Sequence, residues 1–431
     1  MLVHVTLVSK FHIALDRFVR TSPREKYWNL AALWAELRRL HAASNVEFRG
    51  HAQRDLASYL FGRNRPVAGE NDRRARAAVG WILRAQNATQ DDGVSLGYFP
   101  CSADRVRWRP SYPETTGYII TSLLEYAKCY GDARARDAAI RMACWEASIQ
   151  MESGAVQGGP VVPRDRQTPA AFNTGMVLDG WCSAYDVTGD AMLLDAARRA
   201  ADFLVDDLDE AGYYRTNGAF VKTGEIKTYT CLCAWAVHRF GDCVGEARYR
   251  DAAVRSVEAA LRQQQANGWF AHNCLTRSDA PLTHTLGYTM QGILEVGVCA
   301  SREDFVTAVA RTMQAIIPHI DENGFLPGMF FSDWRPAAFS SCLTGSAQIA
   351  IVGYRLHEIT GVSSYRAAAD RLTDFLKALQ SLDARDENVN GAIAGSFPIF
   401  GNYMRGGYPN WATKYLLDAL MLQQRMNRQL E

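Results

Sequence analysis

A short glycine turn recurs along the chain and constrains the fold more than any other sequence feature. It has the form polar-polar-Gly-apolar, and its first two copies are DDGV and ESGA. The copies place their glycines at nearly regular intervals, at Gly93, Gly154, Gly212, Gly268, Gly324 and Gly391. Self-similarity at such a period indicates a repeat architecture, in which each unit buries its apolar face against its neighbours. The sequence therefore predicts six copies of one structural unit.

A second, shorter turn alternates with the first and divides each unit into two segments. We place its copies at Gly131-Asp132, Gly189-Asp190, Gly241-Asp242, around Gly297 and at Gly361. The segment before each first-type turn has apolar residues three and four apart with charged residues between them, which is typical of an amphipathic helix. The segment after that turn is apolar nearly all round, which is typical of a buried helix. Each unit thus contains a charged outer helix, a long loop and a buried inner helix.

This alternation predicts an all-α protein with the architecture of an (α/α)6 toroid, a barrel of six helical hairpins. We assign the toroid to residues 67–431 and an N-terminal helical extension to residues 1–66. Within the extension, 27–43 has the pattern of an amphipathic helix, and 64–71 forms the join. All long loops fall at the end of the ring where the inner helices begin. Because long loops on a rigid frame usually carry binding residues, we expect the functional site at this end.

Composition limits the possible partners. Lys and Arg number 47 and Asp and Glu 46, so the formal net charge is +1 and the basic excess of a nucleic-acid-binding protein is missing. No uninterrupted apolar segment is long enough for a membrane span, and no signal-peptide pattern is evident, so we expect a cytoplasmic protein. The ten cysteines include no CxxC pair and do not suggest a disulfide framework. The sequence does not indicate an oligomeric state.

Four inner helices can be aligned on a shared glycine, which is Gly117, Gly175, Gly287 or Gly345. Three positions before these glycines stand Glu114, Phe172, His284 and Cys342, and the third and sixth inner helices place Thr230 and Trp411 there. Packing alone would favour one residue type at equivalent positions. The mixture of a carboxyl group, an imidazole, a thiol and an indole therefore predicts a central cavity with these side chains at its rim.

Glu114 and His284 are the main candidates for acid–base chemistry. An acid in the first turn of a helix is also favoured by the helix dipole alone, so Glu114 has a purely structural alternative. An imidazole titrates near neutral pH, which suits a general acid or base, although His284 could simply bond its own loop. Tyr288 and Tyr403 are further catalytic candidates, because a phenol can donate a proton or a hydrogen bond.

The long loops carry many arginine and aromatic residues. Guanidinium groups bind carboxylates in a bidentate manner, and aromatic rings pack on the apolar faces of sugars. These properties predict an anionic ligand at the loop end of the ring, the alternative being that the arginines are simply solvated. The candidates for substrate binding are Trp108, Arg109, Tyr112, Asp333, Arg335, Arg405, Asn410, Trp411 and Lys414.

With its repeated hairpins and glycine-aromatic turns, the chain resembles the α/α-toroid superfamily, which includes six-hairpin glycosidases, polysaccharide lyases, sugar epimerases and prenyltransferase-like repeat proteins. The strings PSYPETTGYI, PLTHTLGYTMQGILE and GSFPIFGNYMRGGYPNWATKYLLDAL resemble uncharacterised bacterial proteins of polysaccharide-biosynthesis clusters. The resemblance covers roughly 70–428 and is more specific for fold than for reaction. It implies a carbohydrate-active protein with a place in exopolysaccharide biosynthesis.

The leading hypothesis is an enzyme that acts on an acidic, uronate-containing polysaccharide or oligosaccharide, as a lyase, an epimerase or a glycoside hydrolase. Hydrolysis requires two carboxyl groups across the site. Lyase and epimerase reactions instead require a base that removes the proton beside the uronate carboxylate, and the histidine and tyrosines favour this chemistry slightly. We expect no cofactor for either.

Two alternatives remain open at this stage. Cys231, His284 and Cys342 each lie at the start of an inner helix, and three such ligands with a water would form a catalytic zinc site. The chain could also be a non-catalytic glycan-binding protein of polysaccharide assembly, with aromatic and basic loops but no matched acid and base.

Overall fold

Helices make up nearly all regular structure in the described residues of the computed structural model, which are 46–61, 65–102, 104–218, 221, 224–399 and 401–428. The helices are α1 (Val46–Phe61), α2 (Asn71–Asn87), α3 (Pro113–Tyr130), α4 (Ala133–Ile149), α5 (Ala171–Thr188), α6 (Ala191–Asp207), α7 (Leu232–Val244), α8 (Ala247–Leu261), α9 (Thr283–Cys299), α10 (Glu303–Ile316), α11 (Leu343–Thr360), α12 (Ser363–Leu379) and α13 (Asn410–Arg428). Short 3-10 turns lie at Arg164–Arg166, Thr228–Cys231 and Ile317–His319. The helix predicted over 27–43 lies outside the described residues.

The inner helices form a closed ring. Helix α3 packs on α5, and contacts between successive inner helices continue through α7, α9, α11 and α13, which packs back on α3. Each inner helix also packs on the outer helix that follows it, and α13 packs on the first outer helix, α2. The predicted (α/α)6 toroid is therefore confirmed. Among the described helices, none is long and apolar enough to cross a membrane.

The glycines that aligned the inner helices lie where those helices touch. A Cβ atom on Gly117 would stand 2.6 Å from the Cα atom of Val177 in the next inner helix, and one on Gly287 would stand 2.6 Å from the Cβ atom of Gln348. Real Cβ atoms do not approach other atoms so closely, so a larger residue would push the helices apart. The repeated glycine thus has a packing cause.

The glycines of the first-type turns lie against the next outer helix of the ring. Gly212 has a φ of +86°, and a Cβ atom there would stand 2.6 Å from the carbonyl oxygen of Arg255 in α8. The last of these turns closes the ring, because Gly391 lies in the same way against the carbonyl of Ala77 in α2. Only glycine combines this backbone conformation with so close an approach.

Two of the predicted short turns are placed wrongly. Gly241 and Gly297 lie inside α7 and α9, and the left-handed cap of α7 is Gly245, with a φ of +73°. A Cβ atom on Gly297 would stand 2.8 Å from the Cβ atom of Phe305 in the following outer helix. These two glycines therefore serve helix packing instead of chain reversal. Gly131, Gly189 and Gly361 cap their helices as predicted.

A buried polar cluster joins the first and last helices of the toroid. The Lys377 ammonium group donates hydrogen bonds to the side-chain oxygens of Asn71 (3.1 Å) and Gln423 (3.0 Å) and pairs with Asp374 at 2.7 Å. Asn71 belongs to α2, Gln423 to α13 and Lys377 to α12, so the cluster ties the first and last helices of the toroid together. Since the ammonium is almost fully buried, these partners are needed to offset its desolvation.

The long loops hydrogen-bond to one another around the end where the inner helices begin. Strand β1 (Gly97–Tyr98) in the first loop pairs antiparallel with β4 (Tyr408–Pro409) in the last. Strand β3 (Ser396–Phe397) of the last loop pairs with β2 (Ser341–Cys342) of the fifth. The last loop therefore bridges both of its neighbours and holds the loop end of the ring together.

Helix α1 of the extension packs on this loop end. The hydroxyl of Tyr59 donates to the carbonyl oxygen of Phe339 at 2.8 Å, and its ring contacts those of Phe325 and Phe397. The Asp55 carboxylate accepts the backbone N–H of Ile399 at 2.6 Å. The described part of the extension therefore covers the fifth and sixth long loops.

We predict that Gly117→Ala destabilises the protein by about 1–3 kcal/mol, because the new methyl group meets the backbone of α5, which cannot move independently. Gly80→Ala is the matched control on an outer helix, where the nearest atom would be the mobile end of Arg84 at 3.8 Å. This control should be neutral or stabilise by about 0.5–1 kcal/mol, as expected from helix propensity. Chemical denaturation measures both, and equal effects would contradict the proposed close packing.

Candidate active site

An aromatic cluster fills the axis of the ring where the inner helices begin. We call it the axial basin, and its members are Tyr112, Glu114, Tyr118, Phe172, Tyr229, His284, Tyr288, Tyr403, Trp411 and Tyr415. The His284 ring lies 4.3 Å from that of Tyr288 and 5.2 Å from that of Tyr403, measured between centroids. Tyr288 in turn contacts Phe172 at 4.8 Å. Residues distant in the chain thus share one site, as the helix alignment predicted.

Glu114 is the carboxyl group of the axial basin. It belongs to the first turn of α3 and follows Pro113, whose fixed φ suits the first position of a helix. Burial raises its pKa to about 7, and a hydrogen bond from the Tyr112 hydroxyl opposes this shift without cancelling it. Its charge would also raise the pKa values of Tyr288 and Tyr403.

His284 is a neutral base within the same basin. Its Nδ1 atom lies 2.8 Å from the side-chain oxygen of Gln348, so Nδ1 carries the proton and Nε2 keeps its lone pair. Burial lowers the pKa of the imidazole to about 4, and the Gln348 hydrogen bond opposes the shift. Between about pH 4 and 7, Glu114 is therefore protonated while His284 is neutral.

Donors with poor hydrogen-bond geometry lie beside Glu114 and His284. Among the described residues, the buried hydroxyls of Tyr118 and Tyr288 and the buried amide nitrogen of Gln348 make no hydrogen bond of normal geometry. They interact with one another and with Tyr415: Tyr288 with Tyr118 and Tyr415, and Gln348 with Tyr415. A polar ligand at this site would offer these donors acceptors of better geometry.

Two of the predicted binding residues, Tyr112 and Trp411, lie in the axial basin. Their rings are 6.3 Å apart, and the Trp411 indole N–H donates to the Tyr403 hydroxyl at 2.8 Å. Trp411 therefore positions Tyr403 against His284.

Several other predicted binding residues lie elsewhere. Trp108 packs on Trp81 and Tyr98, because the first loop folds back over the outer helix α2 instead of entering the ring. Arg109 is held by Asp104 at 2.6 Å on the loop surface.

The remaining predicted binding residues lie in the long loops or in α13. Asp333 and Arg335 form an exposed pair with each other on the fifth loop. Asn410 is fully buried and donates to the Ser95 carbonyl and the Thr115 hydroxyl, so it holds the first loop against α13. Lys414 lies beneath the basin, with its ammonium 3.9 Å from the Tyr415 ring centroid and 2.8 Å from Asp418. Arg405 is half-buried in the last loop.

The alternative zinc ligands do not form one ligand set. Cys231 donates to the Thr289 carbonyl in the inner ring, and His284 is bound to Gln348. In the part of the chain that the structure describes, one group of three metal-ligand side chains lies within 4.8 Å of one another, and it consists of His238, Asp242 and Cys299. None of the three predicted ligands belongs to this group.

Sequence reasoning missed Tyr229, Gln348 and Tyr415. Tyr415 could have been found, because it follows the shared glycine position of the sixth inner helix just as Tyr118 and Tyr288 follow Gly117 and Gly287. Gln348 carries no such signal, since its role comes from the approach of α11 to α9. Tyr229 lies in the 3-10 turn before α7, one position before Thr230, which the alignment placed at the rim instead.

Known structures share the fold over most of the chain. An unsaturated glucuronyl hydrolase specific for heparin superposes with a TM-score of 0.66 at 15% identity, covering 83% of this chain and 98% of that one. The unsaturated glucuronyl hydrolase from Bacillus sp. GL1 gives 0.65 at 16% identity, with coverages of 83% and 97%. A D-mannose isomerase gives 0.65 at 11% identity, also with 83% and 97%. No protein-family model matches the sequence, and neither does any curated protein. These likenesses show the six-hairpin α/α-toroid fold.

We predict that Tyr112→Phe raises the pKa of Glu114 further above 7, because the phenol hydrogen bond that favours the carboxylate is lost while burial remains. Carbon-13 NMR titration of the carboxyl groups measures the shift. Tyr130→Phe is the matched control, since that hydroxyl donates to Asp72 on the outer side of the ring. An unchanged or lowered Glu114 pKa in Tyr112→Phe would contradict the assignment.

Proposed function

We propose that this protein is an enzyme that acts on an acidic, uronate-containing oligosaccharide or polysaccharide in the axial basin. The observation that carries the proposal is that Glu114 and His284 both belong to the axial basin, where Glu114 is bonded by the Tyr112 hydroxyl and His284 packs on Tyr288 and Tyr403. Their pKa values are shifted in opposite directions, so one group holds a proton and the other can accept one at the same pH. Pairs of this kind are the usual basis of acid and base roles in active sites.

The pair favours a lyase or epimerase reaction over glycoside hydrolysis. In the lyase reaction, His284 Nε2 accepts the proton beside the uronate carboxylate, and the Glu114 carboxyl group protonates the departing glycosidic oxygen as a double bond forms. In an epimerase, the second group returns a proton to the opposite face of the same carbon. Hydrolysis requires two carboxyl groups. Among the described residues, Asp418 and Glu225 are the other carboxylates whose charge raises the pKa of a basin tyrosine, and each is paired with a lysine, Asp418 with Lys414 at 2.8 Å and Glu225 with Lys227 at 2.9 Å.

The proposal of an acidic sugar as substrate rests on the fold and on the aromatic side chains of the axial basin. Two neighbours of the fold are named as unsaturated glucuronyl hydrolases and one as a sugar isomerase. One structure of the first kind holds dGlcA-GalNAc6S, an acidic disaccharide. Tyrosine and tryptophan rings offer flat apolar surfaces to the C–H faces of a sugar, and the buried phenols of Tyr118 and Tyr288 offer donors to its oxygens. We extend the proposal to exopolysaccharide biosynthesis in the cytoplasm, without a resident cofactor.

The direct test is incubation of the purified protein with uronate-containing oligosaccharides, including heparin and chondroitin fragments. Ultraviolet absorbance detects the unsaturated product of a lyase, solvent deuterium uptake detects epimerisation, and new reducing ends detect hydrolysis. Glu114→Gln and His284→Gln should each lower the rate by about 10²- to 10⁴-fold. Binding without turnover in all three assays would contradict the proposal and leave a glycan-binding protein.

We expect a bell-shaped pH–rate profile. The rate should rise through about pH 4 as His284 loses its proton and fall above about pH 7 as Glu114 ionises. The residual activity of Glu114→Gln should not fall above about pH 7, because the amide does not titrate. Glu146→Gln is the matched control, since Glu146 is fully buried on α4 with a raised pKa but lies outside the basin. If Glu146→Gln abolished the fall in rate above pH 7 and Glu114→Gln did not, the assignment of the acid to Glu114 would be wrong.

A further inference from the structure

Away from the axial basin, the ring contains a cavity of about 680 Å³. It lies halfway along the inner helices and towards their C-terminal ends, and Lys414 is the one predicted binding residue that lines it. Every inner helix contributes to its wall, through Thr121, Asp179, Trp235, Gln291, Ile351 and Asp418. We call this cavity the distal basin. Its volume falls in the range of small-molecule sites, about 300–1,000 Å³.

Most of the charged groups that line the distal basin are paired within the protein, whereas Glu125 and Arg428, which also line it, are exposed to solvent and are not among these ion pairs. Arg355 donates to both oxygens of Glu295, at 2.8 and 2.9 Å, and Lys414 pairs with Asp418 at 2.8 Å. Asp179 is bound by Arg239 and accepts the Thr121 hydroxyl at 2.7 Å. A charged ligand would bring an uncompensated charge into this wall, which is costly in a partly buried site.

The wall also contains apolar surface. Trp235 is half-buried and lines the cavity together with Ile351, Met421 and Leu422. A carboxylate that already accepts one hydrogen bond keeps further lone pairs, and a guanidinium group has five donors. The distal basin thus offers a flat ring, aliphatic walls and both donors and acceptors.

We propose that the distal basin is a binding site for a neutral sugar, a ligand whose hydroxyls both donate and accept and whose C–H faces pack on an aromatic ring. This site is separate from the axial basin and does not depend on the reaction proposed there. Lys414 lies between the axial basin and the distal basin. Its ammonium group is 4.9 Å from the centroid of the Tyr118 ring on the axial side and is paired with Asp418 on the distal side.

Saturation-transfer NMR on the full chain tests the proposal with glucose, mannose, N-acetylglucosamine and maltose as neutral probes. Glucuronate and glucosamine serve as charged comparators. We expect at least one neutral probe to bind, with its affinity lowered tenfold or more by Trp235→Ala and by Gln291→Leu, which removes an amide from the wall. Trp235→Phe keeps a ring and should restore most of the affinity, which separates ligand stacking from a folding defect.

Trp411→Ala is the matched control, because it removes an indole from the axial basin. Loss of neutral-sugar binding in Trp411→Ala with full binding in Trp235→Ala would overturn the proposal, as would saturation transfer to the charged probes alone or to none. Turnover of an acidic substrate is measured in parallel with Trp235→Ala. Unchanged turnover shows that a failure at the distal basin leaves the proposed reaction standing.

Discussion

Close contact between neighbouring inner helices is the constraint on which the rest of the structure depends. Glycine at Gly117, Gly175, Gly287 and Gly345 lets the helix backbones touch, and six helices packed so closely leave little room on the part of the ring axis where they begin. Large side chains at the helix starts therefore converge there. The polar cluster around Lys377 completes the ring, because it pairs the first and last helices of the toroid, which no chain connection joins.

The same packing creates the electrostatic environment of the axial basin. A carboxyl group and an imidazole that are both removed from water favour their neutral forms, which moves the pKa of Glu114 up and that of His284 down. Gln348 then decides which imidazole nitrogen is free, through a hydrogen bond from the neighbouring inner helix. The acid–base pair is thus a product of burial, in a site whose other walls are mainly aromatic rings.

The two ends of the ring differ for a physical reason. At the loop end, the helix starts carry aromatic and titratable groups, and the loops and α1 cover them. At the other end, connections are short and the helix walls carry ion pairs such as Glu295–Arg355, which remain partly hydrated. One fold therefore contains a desolvated site, where we propose proton transfer, and a partly hydrated cavity, where we propose a neutral sugar.

The sequence by itself determined the six hairpins, the inner and outer helices and the grouping of Glu114, His284 and Trp411, because periodicity and repeat position are local properties. It misplaced the turns at Gly241 and Gly297, since glycine serves a cap and a close contact equally well. It could not show that Trp108 faces α2, that Asn410 holds a loop or that Gln348 orients His284. Those roles depend on which helix and loop lie alongside, and only the closed ring decides that.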